Sequence, residues 1–137
     1  MKLGASLEDI AELQLQVDVF RWLAETDPPA FVFHVPNSQK RSRREAVRVR
    51  AMGIKAGVAD LAVMLPGGRQ GWIELKTRSG KLSHHQSDFA MTCWALGHRH
   101  RVCRSVAEVA ETIELWIALP SGVPVDGVEI AAECRVP

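Results

Sequence analysis

Four serines in this chain are followed three positions later by Asp, Glu or Gln: Ser6 by Asp9, Ser42 by Glu45, Ser83 by Gln86 and Ser105 by Glu108. In that pattern the serine hydroxyl accepts a hydrogen bond from the later backbone N–H. The later side chain reaches back to the serine N–H. Each pair therefore marks the first turn of a helix. The first helix is expected from about Leu7 to Glu25, with Ile10, Leu13, Val17 and Phe20 in an apolar stripe at helical spacing. Asp27-Pro28-Pro29 stops it. The second is a basic helix closing near Gly53, the third runs from His84 to about Leu96, and the fourth ends near Leu115 or Trp116.

The segments between these helices read as strands. Phe31 to Val35 is short, aromatic and β-branched. Asp60 to Leu65 and Gly71 to Lys76 flank Pro66-Gly67-Gly68 and form a hairpin, and Arg99 to Arg104 is a further short strand. Gly127 to Val136 is expected to add an edge strand. The order α β α β β α β α predicts an α/β fold, a small mixed sheet flanked by helices. A length of 137 residues suits one domain, with its core over about 7–117 and a C-terminal extension over 118–137.

Several function classes are disfavoured. No apolar run is long enough to span a bilayer and the N-terminus has no signal-peptide pattern, so no membrane association and a cytoplasmic location are expected. Cys93, Cys103 and Cys134 include no CxxC pair, so they read as small buried hydrophobes rather than a disulfide framework or zinc knuckle. The net charge is only +1, but it is unevenly spread. Lys40, Arg41, Arg43, Arg44, Arg48 and Arg50 stand with one acid, Glu45, and Arg99, Arg101 and Arg104 form a second basic group. Such patches are either nucleic-acid contacts or solvated surface.

The hairpin carries unexpected charge. With a turn over Pro66 to Gln70, Leu65 faces Gly71, Ala62 faces Glu74 and Asp60 faces Lys76. Strand alternation then puts Leu61, Val63, Leu65, Ile73 and Leu75 on one apolar face, and Asp60, Glu74 and Lys76 on the other. Asp60 and Glu74 become diagonal neighbours, roughly 7–8 Å apart. Two carboxylates so placed can share a hard cation such as Mg²⁺. Lys76 then stands beside it, able to steady a water or balance charge on a phosphate. The plainer alternative is an Asp–Lys ion pair on a solvated sheet.

The stretches "GVADL" and "IELKT" resemble the PD-(D/E)XK nuclease superfamily, and more closely the VRR-NUC (virus-type replication-repair nuclease) family. The resemblance covers roughly Glu12 to Glu114, through "ELQLQVDVFRWL", "FHVPN", "RAMGIKAGVADLAVMLPGG", "GWIELKTRSGKLSHHQ" and "ALGHRHRVCRSVAEV" in the family's order. It implies that Asp60 and Glu74 are metal ligands, joined by the backbone carbonyl of Leu75 and by Glu12, and that Lys76 is the catalytic lysine. Gln86 matches the glutamine that organises such sites, although the residue is also a helix cap. Ala59 departs from the family, which commonly has proline there.

The resemblance also implies Mg²⁺ as cofactor, with Mn²⁺ as a substitute, and DNA as substrate. Short stand-alone members look like homodimers from phages and bacteria that cut four-way (Holliday) junctions, so the expected activity is structure-selective cleavage of junction or branched DNA. A general duplex nuclease or nickase in phage replication or packaging, and an inactive DNA-binding module, are the alternatives. Trp94, Trp116 and Ile117 are candidates for the dimer surface, although each suits a core equally. Expected DNA contacts are Asn37, Lys40, Arg41, Arg43, Arg44, Arg48, Lys55, Arg99 and Arg101. Asn37 can equally end its strand through an Asx-turn.

Overall fold

A computed structural model describes residues 4–36 and 42–119. Each serine-led pair starts a helix: α1 spans Leu7–Thr26, α2 Arg43–Ala51, α3 His84–Ala95 and α4 Val106–Ala118. Both halves of the capping box close at Ser6 with Asp9 and at Ser83 with Gln86. At α4 the Ser105 hydroxyl accepts from Glu108 N–H, while the Glu108 carboxylate accepts from Arg104 N–H instead.

The strands are β1 Phe31–His34, β2 Leu61–Leu65, β3 Arg69–Leu75 and β4 Arg99–Cys103. They lie in the order β1-β2-β3-β4, antiparallel across the first two pairings and parallel between β3 and β4. Helix α3 makes the crossover that a parallel pair requires. This is the expected α/β fold with a mixed sheet. The anticipated strand over Gly127 to Val136 and nearly all of the extension lie outside the described residues.

The hairpin register differs from the expected one. Leu65 pairs with Arg69 and Leu61 with Ile73, leaving a loop of Pro66, Gly67 and Gly68. Gly67 and Gly68 adopt φ of 76° and 72°, which lets so short a loop close. The pairing has moved by an even number of residues, so every side chain keeps its face. Continued one step, the ladder sets Asp60 level with Glu74, where the sequence pattern sets it level with Lys76.

The apolar face of the sheet packs on α1 and α4. Leu61, Val63, Leu65, Ile73, Leu75 and Cys103 form one core with Val19, Val109, Ile113 and Trp116. The opposite face is covered by α3, whose Phe89 ring meets Trp72 edge-on at 5.5 Å and His100 at 5.8 Å. Burial lowers the His100 pKa to about 4, so the imidazole is neutral near neutral pH. Cys93 and Cys103 are buried free thiols, as expected of small hydrophobes. Of the apolar residues weighed as dimer surface, Trp116 is fully buried and Trp94 is 44% exposed, while Ile117 packs on the core.

Helix α1 turns an unexpected flank inward. Leu15, Val19, Trp22 and Leu23 meet the core, whereas Leu7, Ile10, Leu13 and Val17 are exposed. Only Phe20 of the stripe read from the spacing packs inward. The helix is apolar on both flanks, so periodicity alone does not choose between them.

Gly71 fits beneath the Trp116 indole. A Cβ at Gly71 would lie 2.3 Å from Cζ3 of that ring. Gly71→Ala is expected to lose about 2–3 kcal/mol in urea unfolding by overpacking, and Gly71→Ala/Trp116→Leu to recover part of that loss.

Candidate active site

At the end of the sheet where β3 leaves β2, the chain brings five polar side chains together: Asp60, Glu74, Lys76, Gln86 and Glu12. Asp60 directly precedes β2, and its main chain is held from β1. Its carbonyl accepts from Val35 N–H at 2.7 Å and lies 2.9 Å from His34 Nδ1. Its carboxylate Oδ2 accepts from Leu75 N–H at 2.8 Å. That bond crosses from β2 to β3 and fixes the acid beside Glu74.

Glu74 is almost wholly buried, at 2% exposure. Its Oε1 accepts from Gln86 Nε2 at 2.8 Å and lies 3.9 Å from Lys76 Nζ. Gln86 thus serves both as capping partner of Ser83, through its Oε1, and as support for Glu74, through its amide nitrogen. The cap and site roles coexist because they use opposite ends of one amide.

The electrostatics follow from burial. Desolvation, with the Asp60 charge next in importance, pushes the Glu74 carboxyl up to about 9 despite the opposing pull of Lys76. Glu12, on α1, is also raised by burial, against the pull of Lys76. Its Oε1 lies 3.5 Å from Lys76 Nζ, so the lysine bridges two acids from different elements. Beside this group opens a cleft of about 450 Å³ lined by Glu8, Asp9, Glu12, Lys76, Ser79 and Lys81.

The donor set suits a hard divalent cation. A buried carboxyl driven upward by its own desolvation and by a neighbouring carboxylate is the electrostatic condition that a cation between them relieves. Asp60 and Glu74 could supply two carboxylate oxygens, a number that suits Mg²⁺, which usually takes one or two carboxylates. No group of three or more His, Cys, Asp or Glu among the described residues is spaced as a metal cluster. Glu12 pairs with Lys76 in this structure.

The expected DNA contacts divide. Arg43, Arg44 and Arg48 on α2, and Lys55 after it, are exposed. Asn37, Lys40 and Arg41 lie outside the described residues. Arg99 is buried on the sheet, which corrects its reading as a phosphate contact, while Arg101 is half-buried. Arg99 is 9% exposed and donates to Trp116 O at 2.7 Å and Leu119 O at 3.1 Å, at the C-terminal end of α4. Arg69 donates to Trp116, Ile117 and Leu119 carbonyls in the same place. Arg101 donates to Thr112 Oγ1 at 2.8 Å. The positive guanidinium groups of Arg99 and Arg69 satisfy carbonyls that a helix end leaves open.

The fold is a mixed four-stranded sheet flanked by four helices, with Asp60, Glu74 and Lys76 beside one another at adjacent strand ends. Among solved structures the chain is similar to a "VRR_NUC domain protein" with a TM-score of 0.64 and 21% sequence identity, over 87% of this chain and 94% of that one. No family model and no curated protein matches the chain.

Proposed function

We propose that the protein is a metal-dependent endodeoxyribonuclease that hydrolyses phosphodiester bonds, with four-way or branched DNA as its preferred substrate. The reading is carried by one observation: Asp60, just before β2, is held by Leu75 N–H next to Glu74 of β3, with Lys76 Nζ 3.9 Å from Glu74 Oε1. Asp60, Glu74 and the main-chain carbonyl of Leu75 would hold Mg²⁺ or Mn²⁺. When bound, the metal supplies Lewis-acid polarisation of the scissile phosphate and activation of water.

The chain's own residues do the rest. Glu12 and Glu74 hold the Lys76 ammonium at the cleft. From there it orients the attacking water or offsets negative charge that grows on the phosphate oxygens. Gln86 keeps Glu74 in place. The arginines of α2 are suited to the DNA backbone, where they neutralise phosphates without reading sequence.

Preference for branched DNA, and action as a homodimer, rest on the resemblance to stand-alone VRR-NUC proteins. The exposed apolar flank of α1, Leu7, Ile10, Leu13 and Val17, supports a second copy as its cover. No helix of the described residues is long and apolar enough to cross a membrane.

Labelled junction, flap, duplex and single-stranded DNA, each with Mg²⁺, Mn²⁺ or EDTA, test the reading. Junction or flap cleavage that EDTA abolishes is the expected result. Asp60→Asn and Lys76→Ala should each lower the rate by about 10²–10³-fold while the circular-dichroism spectrum stays native. Preferred cutting of linear duplex would refute the junction preference, and full activity of Asp60→Asn would refute the site.

A further inference from the structure

We infer that Arg104 is a positioning residue for Lys76, acting through the turn that follows the lysine. This inference rests on the nuclease reading above. The residues Thr77 to Gly80 form a turn closed by Gly80 N–H donating to Thr77 O at 3.2 Å. Arg104 Nη1 donates to Thr77 O at 2.6 Å and to Gly80 O at 2.7 Å, so one guanidinium nitrogen ties both ends of the turn. On the other side, Thr77 Oγ1 donates to Glu8 Oε1 of α1 at 3.2 Å.

The turn lies against the lysine itself. Gly80 is buried, and a Cβ placed on it would stand 3.4 Å from Lys76 Cδ and 2.8 Å from both Glu8 Oε1 and Thr77 Oγ1. The Gly80 backbone thus lies close against the Lys76 stem. Lys76 N–H donates to Cys103 O at 3.1 Å, which extends the parallel ladder by a step and sets Arg104 alongside Lys76. Arg104 therefore fixes the turn, the turn confines the methylene stem, and the stem sets where Nζ stands between Glu12 and Glu74. The basic residue that closes the β4 segment serves the site from within and does not touch DNA.

Single-turnover cleavage and DNA binding of Arg104→Gln and Arg104→Lys test this, with the wild type measured alongside. Loosening a lysine by about 1 Å should cost Arg104→Gln about 10- to 100-fold in the cleavage rate constant. Substrate affinity and the salt dependence of binding should stay within about twofold of wild type, because no phosphate contact is lost. Arg104→Lys, which keeps a cationic donor, should recover part of the rate. In a Lys76→Ala background Arg104→Gln should cost nothing further.

Several results would overturn the assignment. One is an unchanged rate in both variants when the wild type cleaves. Another is a loss that appears as weaker binding with a shallower salt slope, which would make Arg104 a phosphate contact. A third is a full additional loss in the Lys76→Ala background. Should Arg104→Gln not fold, Thr77→Val, which deletes only the tether to Glu8, must show the smaller rate defect, and a wild-type rate there refutes the chain of contacts. A wild type inactive on every DNA and metal rejects the nuclease reading, and this inference with it. An active wild type with unaffected variants rejects the inference alone.

Discussion

Glu74→Gln is expected to abolish cleavage and, at the same time, to make the metal-free protein more stable. The loss follows from the role proposed for Glu74 as a charged metal ligand: several kcal/mol of transition-state stabilisation corresponds to about 10³-fold or more in rate. The gain follows from linkage. The Glu74 carboxyl has its pKa raised from 4.5 to about 9 by burial and by Asp60. Between those values the folded protein holds a proton that the unfolded chain has released, so stability falls as pH rises through the window.

In Glu74→Gln the new side-chain amide can donate to Asp60 and accept from Gln86, with no charge to desolvate. At pH 7 the variant should gain on the order of 2–3 kcal/mol in chemical denaturation without metal. The advantage should shrink as the pH falls towards about 5, where the unfolded carboxyl also takes up its proton. Added Mg²⁺ or Mn²⁺ should raise the melting temperature of the wild type and leave that of the variant nearly unchanged. A variant less stable than the wild type at about pH 8 would contradict the account of Glu74.

Gly57→Ala is expected to be the most damaging alanine substitution among the described glycines. Gly57 has φ of +82°, and a Cβ there would lie 2.2 Å from the backbone carbon and oxygen of His85. The obstacle is backbone, so no rotamer change relieves it. Strain and displacement together should cost about 3–5 kcal/mol, a fall of roughly 10–20 °C in melting temperature. The displaced element is the first turn of α3, which carries Gln86. Loss of its contact with Glu74 should weaken metal affinity by about 10- to 100-fold. Gly53→Ala is the control, because Gly53 has φ of +91° but open space where the Cβ would go. It should cost only about 1 kcal/mol and leave metal affinity intact. Equal damage at the two positions would show that backbone conformation, and not contact with α3, sets the effect.

The elements legible in the sequence are those set by neighbours. Ser6, Ser42, Ser83 and Ser105 each accept from an N–H three residues on, a contact that chain geometry alone permits. The alternation that separates Leu61, Val63 and Ile73 from Glu74 withstands the change in loop length because the change is even. The rest depends on distant partners. Arg99 and Arg69 bind the end of α4 across 17 to 50 positions, and nothing near either arginine distinguishes such a role from a surface charge. His34 and Arg104 act on the main chain of Asp60 and of Thr77 to Gly80, where the contacted atoms are common to every residue type. The "FHVPN" and "RHRVCR" segments mark their places without naming their partners. The inward flank of α1 was hidden for a related reason, since Ile10 and Val17 are as apolar as Leu15 and Val19.

That same helix has two jobs on opposite flanks. One flank supplies Glu12 to the lysine and Glu8 to the turn beyond it, while the other presents Leu7, Ile10, Leu13 and Val17 outward. A partner on the outer flank and the contacts of Glu12 and Glu8 on the inner one would share the same 20-residue helix. If a second copy covers the outer flank, its binding and that of a ligand at the site are coupled through one helix, and a coupling between two binding events is reciprocal.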